Sequence, residues 1–219
     1  MKNKTLLKGI ILLSAFGIWT VLILTVDVKA QGVNGTDIGF AAINTWFHHL
    51  TGSNMSIYVI TDWLGLVPVA VCLSFAVVGL IQWVRRKGLT KVDFDIIVLG
   101  IYYVIVIGEY LFFEMIPVNF RPILINGIME ASYPSSTTLL VLSVMPTLSF
   151  QISRRVDIFS LKRGVGIAAG LFSVLMVAGR LFCGVHWLTD IVGAALLSAG
   201  NFNIYKAVVV LNDKKIERL

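Results

Sequence analysis

Six stretches of this chain, roughly residues 9–26, 58–84, 94–113, 137–152, 164–182 and 188–211, are apolar over about the length a helix needs to cross a bilayer. Backbone inside hydrocarbon must satisfy its own hydrogen bonds, so such stretches become helices rather than loops or open strands. The expected fold class is all-α: a polytopic membrane protein of six transmembrane helices. Residues 1–57 are expected to supply the first of these and an outer amphipathic segment. Residues 58–219 should form a five-helix membrane core, the whole making one domain. Little chain remains for a separate soluble unit.

Charged residues make up only 14% of the sequence, so the placement of the cations carries information. Lys2, Lys4 and Lys8 precede the first apolar stretch, and Arg85, Arg86, Lys87 and Lys91 separate the second from the third. Arg154, Arg155, Lys162 and Arg163 separate the fourth from the fifth; Lys214, Lys215 and Arg218 close the chain. If the stretches alternate across a membrane, all four clusters fall on one side, and the positive-inside rule makes that side cytoplasmic. The net charge of +6 is then topological and asks for no nucleic-acid partner. Both termini should lie inside, in a cell membrane, with Lys29, Arg121 and Arg180 on the extracytoplasmic side.

Val28-Lys29-Ala30 loosely resembles a signal-peptidase site. The apolar run before it, Gly9 to Val26, exceeds the ~7–15 residues of a signal sequence, which favours a retained span. Cys72 and Cys183 are too few for a metal or disulfide framework and read as packing residues.

The longest outer segment contains FAAINTWFHHL, where Phe40, Ile43, Trp46, Phe47 and Leu50 recur at helical spacing, as in an amphipathic helix lying in the interface. His48 and His49 end it, about 100° apart on a helix, and read as interfacial side chains rather than a metal pair. The outer connector EMIPVNFRPILINGIMEASYPSS ends in Pro-Ser-Ser, a helix start signal, so the fourth span should begin near Ser135 with free amides facing outward. Glu109 falls inside the third apolar stretch, where a charge needs a partner. A neighbouring helix, near Arg121 or Arg180, is the expected place for one.

Together the outer pieces contribute Arg121, Ser135, Ser136, Thr137, Arg180, His186 and Asp190. Guanidinium forks and unpaired helix amides both suit phosphate oxygens. His186 and Asp190, four apart at the entrance to the last span, should share a helical face, with the carboxylate fixing the imidazole tautomer. Taken singly, these residues read as snorkelling arginines, capping serines and a surface ion pair. Their convergence at one membrane face favours a site. A transporter, suggested by six spans and by Asn201 with Asn203, would gather polar groups near the midplane instead.

Arg121-Pro122, Pro134-Ser135 and Arg180-x5-His186-x3-Asp190 resemble, in order, the three motifs of the type 2 phosphatidic acid phosphatase superfamily, over roughly residues 58 to 205. The third motif is the specific one. The resemblance implies a six-span enzyme that removes phosphate from lipids without a metal or other cofactor. By it, His186 attacks phosphorus to form a phosphohistidine and Asp190 orients the ring. Arg121 and Arg180 would hold the nonbridging oxygens with Ser135 and the amide of Ser136. The implied partners are a phosphorylated lipid and the bilayer.

Two positions depart from that pattern. The family's first motif begins with lysine where this chain has Glu114, and its second continues Pro-Ser-Gly-His where this chain reads Pro134-Ser135-Ser136-Thr137. Threonine cannot replace histidine as the acid that protonates a leaving oxygen. Glu114 is a candidate proton donor; Glu130, His48 and His49 are others. An alkoxide leaves poorly unprotonated, since hydroxide's parent acid has a pKa of ~15.7, whereas a phosphate monoester with a second pKa of about 6 leaves readily. A polyprenyl diphosphate is therefore expected to suit the site better than phosphatidic acid or phosphatidylglycerol phosphate. The alternative is an impaired relative that only binds an anionic phospholipid.

Overall fold

The computed structural model of the protein describes residues 2–216; Arg218, one of the terminal cations named above, lies outside them. Among the described residues there are eight α-helices and no β-strand: α1 (Lys2–Thr25), α2 (Ala41–Thr51), α3 (Met55–Leu64), α4 (Leu66–Arg86), α5 (Phe94–Met115), α6 (Ser136–Arg155), α7 (Phe159–Phe182) and α8 (Leu188–Ile216). Six segments are long and apolar enough to cross a membrane, with α3 and α4 forming one, Met55–Arg86, broken at Gly65. Pro68 contributes to that break, because it has no N–H to return to the preceding turn.

α6 and α8 are the inner helices: 44% of each of their spans is buried, against 11% for α1 and 17% for α7. They also carry many of the buried polar side chains, among them Ser143, Thr147 and Gln151 on α6 and Ser198 and Asn201 on α8, while leucines, isoleucines and valines on the outer helices face outward. A protein in lipid has little hydrophobic drive to bury more apolar surface, so small and polar residues share the helix contacts with an apolar cluster that includes Leu99, Leu139, Leu197 and Val209. α1 lies along α8 at close range because Gly9 and Gly200 leave room; a Cβ on Gly9 would sit 2.8 Å from Ile204 Cδ1. Glu109 does find its partner on a neighbouring helix, but the partner is an amide and not an arginine: Asn201 Nδ2 donates to Glu109 Oε2 at 2.7 Å.

One end of the bundle is tied by ion pairs. Arg154 bridges Asp95 and Asp213 at 3.1 and 2.7 Å, and Arg155 reaches Asp95 at 2.9 Å, joining α5, α6 and α8. The starts of α6 and α8 and the ends of α5 and α7 lie at the opposite end, where α2 and the 116–135 connector cover them. α2 is amphipathic, as its spacing predicted, with Ile43, Trp46 and Leu50 turned outward and Ala41 and Asn44 buried. Phe40 is not helical; it enters the helix in a left-handed conformation.

Candidate active site

Arg121, on the connector, is held by a short backbone ladder in which its N–H bonds Glu130 O at 3.0 Å and Ser132 N bonds Asn119 O at 2.9 Å. Arg180 lies in the last turn of α7, and the chain then turns at Gly184, whose φ of +67° is open to glycine at little cost. A Cβ there would also strike the Gly52 carbonyl. The turn delivers His186 just before α8. This corrects the expected shared helical face: α8 begins at Leu188, so His186 precedes it and only Asp190 is helical. Asp190 reaches back, as in a capping box, and its Oδ2 accepts from Trp187 N at 2.8 Å.

The imidazole is buried, and its Nδ1 lies 3.1 Å from Ser132 O. A carbonyl can only accept, so Nδ1 carries the proton and Nε2 keeps its lone pair. Nε2 is buried and, among the described residues, has no hydrogen-bond partner. Asp190 Oδ2 sits 3.7 Å from Nδ1, beyond hydrogen-bond reach, and acts on the ring by charge. It is tied indirectly, since Ser132 Oγ donates to the same Oδ2 at 2.7 Å. Ser132 therefore positions both members of the pair. Burial holds the His186 pKa down to about 4, with Arg121 and Arg180 adding to the effect and Asp190 opposing it. The ring is therefore neutral at neutral pH.

Both guanidiniums pack on the Tyr58 ring, Arg180 Cζ at 4.9 Å and Arg121 Cζ at 5.8 Å from its centroid. Arg180 Nη2 donates to Asp62 Oδ1 at 3.0 Å and to Thr137 Oγ1, while Nε and Nη1 are buried without partners among the described residues. Arg121 Nε lies 3.1 Å from Glu130 Oε2, but the N–H is not aimed at that oxygen, so this is an ion pair without a hydrogen bond; Nη1 is also unpartnered. Unpaired buried donors are costly, and here they cluster on two cations. Such an arrangement suits an anion.

α6 begins at Ser136 with Ser135 as its N-cap, as expected. Ser135 is fully buried, donates its hydroxyl to Thr138 Oγ1 at 3.0 Å, and its N–H meets Asp190 O at 3.3 Å. Ser136 lines a cleft together with Glu114, Tyr110, Phe113, Ser132 and His186. Glu114 thus shares the cleft with His186, whereas Glu130 is engaged with Arg121. His48 packs edge-on against Trp187, ring centroids 5.7 Å apart, and His49 is exposed. Burial, then the charge of His49, lowers the His48 pKa. Among the described residues, no group of three or more His, Cys, Asp or Glu side chains is placed to hold a metal ion. The two cysteines are free; Cys183 is buried beside Arg180 and Cys72 is half-buried.

A model of the PAP2 superfamily matches residues 64–213. The chain belongs to the PAP2 superfamily. A transmembrane PAP2-type phosphatidylglycerolphosphate phosphatase from Bacillus subtilis has a similar fold, with a TM-score of 0.56 at 20% identity over 97% of this chain and 98% of that one. No curated protein matches the chain. The superfamily match begins after Tyr58 and Asp62, two residues of this PAP2 protein that the motifs did not flag. Asp62 did carry a signal, a carboxylate inside an apolar stretch, of the kind that marks Glu109. Ser132 carried none, because its main part is played by a backbone carbonyl.

Proposed function

We propose that this PAP2 protein is a membrane lipid phosphatase or diphosphatase that works through a phosphohistidine on His186. One observation carries the reading: the ring donates from Nδ1 and presents an unpartnered Nε2, within electrostatic range of two guanidiniums that each keep two buried nitrogens, Nε and Nη1, without acceptors among the described residues. Nε2 forms a bond to the terminal phosphorus while the bond from that phosphorus to the bridging oxygen breaks, its electron pair leaving on that oxygen with the lipid monophosphate of a diphosphate or the lipid alcohol of a monoester. Arg121, Arg180 and the first amides of α6 hold the nonbridging oxygens. Asp190 opposes the positive charge that develops on the ring. Water then attacks phosphorus, the P–N bond breaks, its pair returns to Nε2, and inorganic phosphate departs.

The lipid has a place to lie. An apolar groove of about 570 Å³ runs between α4, α5 and α6 from Asp62, Ser136 and Thr137 towards Cys72, Tyr103 and Val144. The basic clusters lie at the other end of the bundle, which supports cytoplasmic termini and an extracytoplasmic site in a cell membrane. With Thr137 held by Arg180 and no histidine beside it, a leaving group that needs no proton is favoured, hence a polyprenyl diphosphate over phosphatidic acid or phosphatidylglycerol phosphate. Glu114, in the cleft with His186, is a carboxylate placed to protonate a more basic leaving group. Its negative charge, standing where the family has lysine, also favours a second reading, an impaired member that binds an anionic phospholipid.

Phosphate release from polyprenyl diphosphate and from phosphatidic acid, measured in detergent for wild type and His186→Ala, separates these. Turnover favouring the diphosphate and lost in His186→Ala is expected. Equal rates on both lipids would remove the preference; binding without turnover would leave the second reading.

A further inference from the structure

Thr189 lies between Trp187 and Asp190, and its three polar groups are all held from outside the matched superfamily core. Thr189 N donates to Asn44 Oδ1 at 3.3 Å, Asn44 Nδ2 donates to Thr189 Oγ1 at 3.0 Å, and Trp19 Nε1 donates to Thr189 O at 3.1 Å. Asn44 is completely buried, and its Nδ2 also donates to Gly39 O at 2.8 Å. The amide is thus satisfied on both sides and bonds nothing but the catalytic turn and the bend leading into α2. Trp187 rests on the same support, packed in one cluster with Ile38 and Ala41. Asp190 Oδ2, one residue on, must meet Trp187 N and Ser132 Oγ together to stay opposite the imidazole.

We propose that Asn44 is a positioning residue for the His186–Asp190 turn, fixing through Thr189 where the carboxylate and the ring stand. This rests on the reading of His186 as nucleophile. An amide suits the role because one face donates and the other accepts, so a single side chain locks both the N–H and the hydroxyl of Thr189. Small displacements of a reacting group by remote changes can cost about 10²-fold in rate. The groups facing His186 are Asp190 from α8, Arg180 from α7, Arg121 and Ser132 from the connector, and Glu114 across the cleft from α5. None of them changes on substitution of Asn44, so a shift in His186 titration reports a moved turn.

The test uses full-length wild type, Asn44→Ala and Thr189→Val in detergent. Steady-state turnover of the lipid diphosphate is read with the pH titration of the histidine ring signals by NMR; the chain has three histidines, assigned by substitution. Asn44→Ala should lower kcat by about 10²-fold with KM little changed. The His186 midpoint should rise towards the ordinary value of about 6.5 as the turn loosens and admits water. Thr189→Val, which removes only the hydroxyl, should move both in the same direction by less. A merely structural role would reduce the folded fraction and leave the midpoint of the remaining molecules where it was, which overturns the proposal, as does a loss carried by KM alone. If Asn44→Ala does not fold, Thr189→Val decides: an unmoved midpoint is fatal. If wild type turns over no lipid phosphate, the catalytic reading fails while the titration still judges the positioning role.

Discussion

Asp190→Asn tests whether the carboxylate works by charge or by hydrogen bonding. Asn is nearly isosteric, and its carbonyl can keep both bonds that Oδ2 now accepts, from Ser132 Oγ at 2.7 Å and Trp187 N at 2.8 Å. Its NH₂ would replace Oδ1, which has no partner among the described residues. Charge-assisted bonds are worth about 1.5–3 kcal/mol and neutral ones about 1, so two weakened bonds should cost roughly 1–4 kcal/mol of stability. The catalytic loss is distinct. Phosphorylation leaves a positive charge on a ring whose Nδ1 is 3.7 Å from Oδ2. At an effective dielectric of ~20, unit charges about 4 Å apart interact by about 4 kcal/mol. Removing that interaction from the transition state should lower the rate of phosphoryl transfer by about 10³-fold. Single-turnover phosphate release, with thermal unfolding followed on the same samples, reads the two effects separately. A folded Asp190→Asn protein that keeps its rate within tenfold would refute the electrostatic role and leave Asp190 as a cap for α8.

Two further outcomes follow from the same site. Because burial lowers the His186 pKa to about 4 from about 6.5 unfolded, the native state binds fewer protons between those values. Its contribution to stability is complete above pH ~6.5 and is lost as pH falls towards ~4, by up to about 1.4 kcal/mol per pH unit. Unfolding midpoints measured across that window should fall less steeply in His186→Gln, and equal slopes would contradict the buried neutral ring. Gly184→Ala forces a side chain into a positive-φ position and against the Gly52 carbonyl, so the turn must move. A loss of at least about 1 kcal/mol and of most activity is expected; a thermal melt and turnover unchanged from wild type would show that the turn tolerates displacement.

The six spans were readable because the bilayer imposes one rule on every residue inside it: pair the backbone locally and stay apolar. That rule leaves a signal within each stretch. Arg121, Arg180, His186 and Asp190 stood out for the complementary reason, as charged or titratable groups at the ends of such stretches. What could not be read was which polar group faces which. Glu109 plainly needed a partner, but an asparagine rather than an arginine supplies it. His186 and Asp190 four residues apart implied one helical face, yet the helix starts between them and the ring bonds a carbonyl 54 residues earlier in the chain.

Local composition therefore settled the class of fold and the membrane environment and nominated the candidate site side chains, since each depends on short-range periodicity and side-chain chemistry. Three-dimensional packing alone chose the tautomer of His186, paired Arg180 with Asp62, and set Asn44 against Thr189. Those contacts join residues up to 145 positions apart. Such pairs leave no periodic trace, because a long-range contact depends on where helix ends meet and not on what lies beside each residue in the chain.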